Sequence, residues 1–288
     1  MSIERKPAKW VQRALLGLIR GYLEHRSSIT VERNDTLHMK PPYLILSNHV
    51  NNWDPLFLNC YVDEPICFVA GAPLFRNPIL KRILNYTGAI SKTKFRADTS
   101  TIRNVLKAKK HRRVIGLFPE GNRNWDGRTE PLVYSTAKLV KALDIPVVIA
   151  KIRGGYLSHP RWADGHRRGP ISITLEKKWD RGDLAQETPE SIHRMLTAEL
   201  AHDEAVWQAE HGHRYTGKQT ARYLERLLFI CPHCETASRL YSHGDVLECR
   251  GCGFAVRYTE SGRFAAAGPG GPEPVFEVPA DWNAWQLA

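Results

Sequence analysis

No apolar run among the 288 residues approaches the roughly 20 residues that a bilayer-spanning helix needs. The glycine patterns of Rossmann and P-loop nucleotide sites are also absent, which argues against a nucleotide hydrolase. Near the N-terminus Arg13 and Arg20 interrupt the apolar residues and no small-residue cleavage site follows, so a secretory signal is not indicated. Cysteine is scarce. Of six, four fall in two Cys-x-x-Cys pairs, which suits metal ligation in a reducing compartment better than a disulfide framework. Acidic residues are in deficit, 30 against 41 basic ones, and the net charge of +11 calls for an anionic partner. Nucleic acid, an anionic membrane and a phosphorylated substrate all fit that charge. The length allows one large domain, or one domain with an appendage.

The most informative stretch runs from Tyr43 to Leu58, YLILSNHVNNWDPLFL. Tyr43 to Leu46 has the length and flanks of a short buried strand. Asp54 followed by Pro55 reads as the N-cap and first turn of a helix. His49 then lies on the turn leaving a strand and Asp54 at the mouth of the returning helix, at the edge of a sheet where open α/β folds put their chemistry. A carboxylate on one ring nitrogen would fix the tautomer, so that the other nitrogen can act as a base. No serine or cysteine nucleophile elbow is nearby, so the hydroxyl to be activated would belong to a substrate. The plainer alternative is a capping aspartate beside an ordinary loop histidine.

A second stretch, Arg113 to Asn124, reads RVIGLFPEGNRN: another apolar run, then a tight turn through Pro119 and Gly121. Together, Asn48-His49 with Asp54, and Phe118-Pro119-Glu120-Gly121-Asn122-Arg123 about seventy residues later, resemble the two signatures of PlsC-type glycerolipid acyltransferases. The resemblance extends over roughly Leu44 to Leu157. It implies a mixed α/β sheet flanked by helices, His49 as general base oriented by Asp54, and Arg123 gripping an acceptor phosphate. Glu120 and Gly121 belong to the same substrate turn, Glu120 orienting Arg123, joining the acceptor's hydroxyl network or serving as a structural ion-pair partner. Where the family carries an arginine for the phosphate, this chain has Lys94, flanked by Lys92 and Arg96. Strand alternation would put these three on one face. Two further departures are Asn122 and Asn124 in place of Thr and Ser, and the loss of a glycine near Thr136.

Residues 3 to 26 read as a basic amphipathic helix, with Trp10, Val11, Ala14, Leu15, Leu18, Ile19, Tyr22 and Leu23 at helical spacing. Such a helix suits an anionic membrane interface; packing on the protein's own core is the alternative. Strands are expected at 29–33, 66–70, 88–96, 113–118, 145–150 and 171–175, and helices at 78–86, 99–110 with Asp98 in its cap, and 135–143. The basic loop 158–169, with Trp162, reads as a plain solvated loop, with contact to headgroups or to the phosphates of a carrier cofactor as the alternative. A single helix is expected over 188–211 with its histidines facing solvent, and another over 219–229.

Cys231-Pro-His-Cys234 and Cys249-Arg-Gly-Cys252, separated by fourteen residues and flanked by short alternating runs, read as a zinc ribbon with a closed, structural site. A Gly/Pro linker from 268 then leads to a Trp-containing tail, expected to be poorly ordered or packed on a neighbour. The domain division expected is 1–28 membrane-associating helix, 29–180 acyltransferase core, 181–228 helical extension, 229–262 zinc ribbon and 263–288 tail. The resemblance implies acyl transfer from acyl-CoA or acyl-carrier protein to a lysophosphatidic acid hydroxyl, on the cytoplasmic face of the cell membrane, with nucleic acid not the favoured partner. A different lysolipid or glycolipid acceptor, or a non-catalytic adaptor or nucleic-acid protein on this scaffold, are the other readings.

Overall fold

The computed structural model describes residues 3–4, 6–93 and 99–288. A long helix, α1 (Lys9–Arg26), leads into the edge strand β1 (Ser28–Asn34). Then follow β2 (Tyr43–Ser47), α2 (Asp54–Tyr61), β3 (Ile66–Gly71), α3 (Pro78–Thr87), β4 (Ile90–Lys92), α4 (Thr99–Lys110), β5 (Val114–Leu117), α5 (Ser135–Leu143) and β6 (Val147–Arg153). A single helical turn, α6 (Gly155–Ser158), precedes β7 (Pro170–Trp179), α7 (Pro189–Leu200) and α8 (Glu204–His211). The C-terminal part adds β8 (Leu240–His243), β9 (Val246–Cys249), β10 (Ala255–Tyr258), β11 (Phe264–Ala266) and α9 (Pro279–Leu287).

Seven strands form one sheet in the order β1-β7-β6-β2-β5-β3-β4. β2 lies at its centre, parallel to both β5 and β6, and β7 reverses direction against β6. All five residues of β2 are buried, as a strand covered on both faces requires. Alternation then divides the core. Tyr43 and Ile45 join Leu23 of α1 and Phe57 and Leu58 of α2 in one layer. Leu44 and Leu46 join Val105 of α4, Val140 of α5 and Leu196 of α7 in the other. The fold is a mixed α/β sheet flanked by helices, as the motifs imply.

A separate four-stranded antiparallel sheet, β11-β10-β9-β8, includes Cys249 at the end of β9, and Cys231, Cys234 and Cys252 lie in turns beside it. Its hydrophobic cluster takes in Trp162, Leu224, Leu227, Leu228 and Trp282 from outside the strands.

Several local expectations give way. The N-terminal helix starts at Lys9, and β4 is only three residues long. Lys94, Arg96 and the expected cap Asp98 lie outside the described residues. Residues 188–211 form two helices, because Asp203 caps α8 by accepting from the N–H groups of Ala205 and Val206. Of the histidines read as solvated there, His202 leaves only 7% of its side chain exposed and bonds Glu204 at 2.8 Å. Residues 219–229 contain only a 3₁₀ turn, Leu224–Arg226, since Gln219 and Tyr223 take positive φ values that end regular helix. The 158–169 segment is not a solvated loop: Trp162 is fully buried and Arg167 nearly so. The tail forms β11 and α9, packed on this chain's own ribbon through Trp282.

Candidate active site

Three chain turns meet at the C-terminal edge of the parallel strands. The first leaves β2. Asn48, buried, bonds both the N–H of Ile152 at 2.9 Å and its carbonyl at 2.8 Å, and so ties the end of β2 to the end of β6. Asn51 donates to the carbonyl of Gly155 at 3.1 Å. The backbone there comes close enough that a Cβ on Gly155 would sit 2.7 Å from Val50, so only glycine fits without a shift. These bonds hold the segment between His49 and Asp54 rigidly.

Asp54 is the first residue of α2 and not its N-cap, which is Trp53. Its carboxylate faces back into the preceding turn. Oδ2 accepts from the His49 Nδ1, the Val50 N–H and the Asn51 N–H, each at 2.8 Å. A carboxylate only accepts, so Nδ1 carries the proton and Nε2 has the free lone pair. The imidazole stacks on Phe118, ring centroids 4.1 Å apart. Asp54 is fully buried while 21% of the His49 side chain is exposed, which leaves the base reachable and its anchor dry.

The second turn leaves β5. Gly121 has φ of 74° and donates to the Phe118 carbonyl at 3.0 Å, closing the Pro119–Gly121 turn. Asn124 donates its N–H to the His49 carbonyl at 2.9 Å, so the two sequence motifs are joined through backbone. Glu120 does not bond Arg123. Its Oε1 accepts from the His49 N–H at 2.6 Å and its Oε2 from the Glu130 N–H at 2.8 Å. Burial pushes its pKa up to about 8, against the pull of those two N–H groups and with help from the Asp54 and Glu130 charges. Arg123 is half-buried, and burial and then the neighbouring Arg161 hold its pKa below the usual value.

The third turn leaves β6. Gly154 donates to buried Glu204, whose other oxygen bonds His202. The chain then reaches Arg161, whose Nη1 donates to the carbonyl of Arg123 at 2.7 Å. Nothing in the local sequence marked Arg161, because the 158–169 stretch looks like an ordinary basic loop. Lys92 ends β4, on the same edge of the sheet but two strands away from β5. Lys94 and Arg96, also expected at the site, are not among the described residues.

The sulfurs of Cys231, Cys234, Cys249 and Cys252 all lie within 4.8 Å of one another. Four Zn–S bonds of ~2.3 Å in a tetrahedron demand S···S edges of about 3.8 Å. The Cys231–Cys252 and Cys234–Cys249 pairs both stand at 3.8 Å. The four thiols fit a tetrahedral zinc.

Residues 28–152 match the family model described as acyltransferase. The 1-acyl-sn-glycerol-3-phosphate acyltransferase of Borreliella burgdorferi is 27% identical over 113 residues, a stretch that is 38% of this chain and 45% of that relative. The chain thus matches less than half the length of this curated relative. The crystal structure of the 1-acyl-sn-glycerophosphate (LPA) acyltransferase PlsC from Thermotoga maritima aligns with a TM-score of 0.57 at 18% identity, over 67% of this chain and 78% of that one. At that identity the likeness is one of fold.

Proposed function

We propose that this chain, which carries an acyltransferase-family domain at residues 28–152, is an O-acyltransferase that moves a fatty acyl group from acyl-CoA or acyl-carrier protein to the free hydroxyl of 1-acylglycerol-3-phosphate. The observation that carries the reading is the His49–Asp54 dyad, with Nδ1 anchored at 2.8 Å and Nε2 open, beside the half-buried Arg123. Nε2 removes the acceptor's hydroxyl proton as the oxygen attacks the thioester carbonyl. Asp54 stabilises the imidazolium that results. The tetrahedral intermediate collapses, the C–S bond breaks, and the imidazolium proton goes to the departing thiolate. Arg123 holds the acceptor's phosphate and so converts a bimolecular encounter into an oriented one. Glu120 works one step back from the chemistry, by holding the backbone of His49.

In this reading Cys231, Cys234, Cys249 and Cys252 hold a zinc ion that stabilises the ribbon and takes no part in the chemistry. α1 rests on an anionic membrane surface, where the acceptor resides. Trp10, Leu18 and Tyr22 remain exposed on it while Leu23 is buried in the core. No helix among the described residues is long and apolar enough to cross a membrane.

The test is thiol release from a long-chain acyl-CoA in the presence of lysophosphatidic acid, with His49→Ala as control. Acceptor-dependent release should fall by roughly 10²–10⁴-fold in the variant. Release that needs no acceptor and survives in His49→Ala would end the proposal.

A further inference from the structure

Arg161 lies after the third turn, against the segment that carries Arg123. It is partly buried, its guanidinium lies 4.1 Å from the Trp125 ring centroid, and its Nη1 donates to the carbonyl of Arg123. Neither Arg161 nor Arg123 stands within ion-pair distance of a carboxylate among the described residues. Two other inward-facing arginines stand apart from this pair. Arg128 bonds Asp203 and Asp281, and Arg167 reaches the carbonyl of Thr220 while lying between Trp162 and Tyr258. Glu130 acts on Arg161 and Asp54 on Arg123 without an ion-pair contact, so two adjacent, partly buried cations leave room for a ligand's negative charge. Burial and then Arg161 hold the Arg123 pKa below its usual value, while the Asp54 charge opposes them.

The surroundings are built to keep Arg161 in place. Trp125 packs against the cysteine-ribbon cluster, and Trp162, the next residue along the loop, is buried in that cluster. Asp126 accepts from Asn283 of α9 at 2.9 Å. The C-terminal part of the chain thus braces both the segment after Arg123 and the loop bearing Arg161. One fork on Arg123 matches a singly charged phosphodiester. A second cation beside it matches the additional charge of a phosphate monoester, whose second ionisation lies near pH 6.

We propose that Arg161 is a specificity-determining residue: the second arm of a two-arginine clamp, with Arg123, for the dianionic phosphate monoester of the acceptor. This rests on the acyl-transfer reading above, and two measurements keep them apart. The first is calorimetric binding of glycerol 3-phosphate to the zinc-loaded full chain. Wild type should bind, Arg161→Gln should bind about tenfold or more weakly, and Arg161→Lys should fall between. Arg161→Lys keeps the charge but not the fork, so weaker binding at an unchanged melting temperature separates a clamp from a packing role. The second is the steady-state rate with lysophosphatidic acid and acyl-CoA. Arg161→Gln should raise KM for the acceptor about tenfold or more, lower kcat less, and leave KM for the donor unaltered. Wild type that does not bind glycerol 3-phosphate, a variant that binds it equally well, or a shift confined to the donor's KM would each overturn the clamp. Arg161-dependent binding without acceptor-dependent turnover would retain the clamp and remove the acyl-transfer reading.

Discussion

Glu120 shows how one side chain of a sequence motif can act through the backbone of its neighbours. It spans the His49 and Glu130 backbone N–H groups from a buried position, and its pKa stands at about 8 against an ordinary 4.5. The folded state therefore binds a proton that the unfolded chain has released between those two values. The stability this adds is complete below about pH 4.5 and is lost as pH rises to about 8. Urea unfolding of wild type across this range should show that decline, and Glu120→Gln should flatten it. The same variant should cost about 1–3 kcal/mol overall, because its amide turns a donor toward an N–H. An equally steep decline in Glu120→Gln would assign the pH dependence to other groups. Asn48 is the other residue whose part is clear only in three dimensions: its amide forms both bonds to Ile152, across a separation of more than a hundred residues.

At the scale of elements, α1 presents an apolar face on which Tyr22 meets Trp53 and Trp10 and Leu18 stand exposed. Trp10, Ala14, Leu18 and Tyr22 recur every fourth residue, all on the exposed side, while Leu23 and Ile19 pack inward. Leu18→Asp should weaken binding to anionic lipid vesicles by about tenfold or more, since burying a leucine side chain contributes roughly 1.5–3 kcal/mol. The melting temperature should not move, because Leu18 is 76% exposed. Vesicle sedimentation unchanged by this substitution would remove α1 from the membrane surface. The strands and helices around the seven-stranded sheet were legible as elements because their apolar runs and caps are local. The break at 201–203 was legible too, in Asp203, but the helical spacing of apolar residues on both sides masks it. The 219–229 run has apolar residues for a helix, yet Leu224, Leu227 and Leu228 serve the ribbon's core in an irregular backbone instead.

For the whole molecule, the C-terminal part is the brace of the candidate site. Trp162 and Trp282, both fully buried, share a cluster with Cys231 and Cys249. A zinc held by the four thiols would contribute on the order of 10 kcal/mol to a module with so small a core. Purified protein should carry one zinc per chain, and strong chelation or Cys249→Ser should lower the melting temperature and red-shift the tryptophan emission. Acceptor KM should rise as well, since the loops bearing Arg123 and Arg161 lose their support. Metal-free protein with unchanged emission and unfolding would exclude a structural zinc. The sequence by itself determined the His49–Asp54 pair, the Pro119–Gly121 turn, the sheet class and the cysteine pairs, because each is written in residues close along the chain. Only the tertiary structure decided that Glu120 holds His49, that Arg161 stands beside Arg123, and that the tail closes on the ribbon. These contacts join residues far apart along the chain, and local periodicity and capping are silent about such encounters.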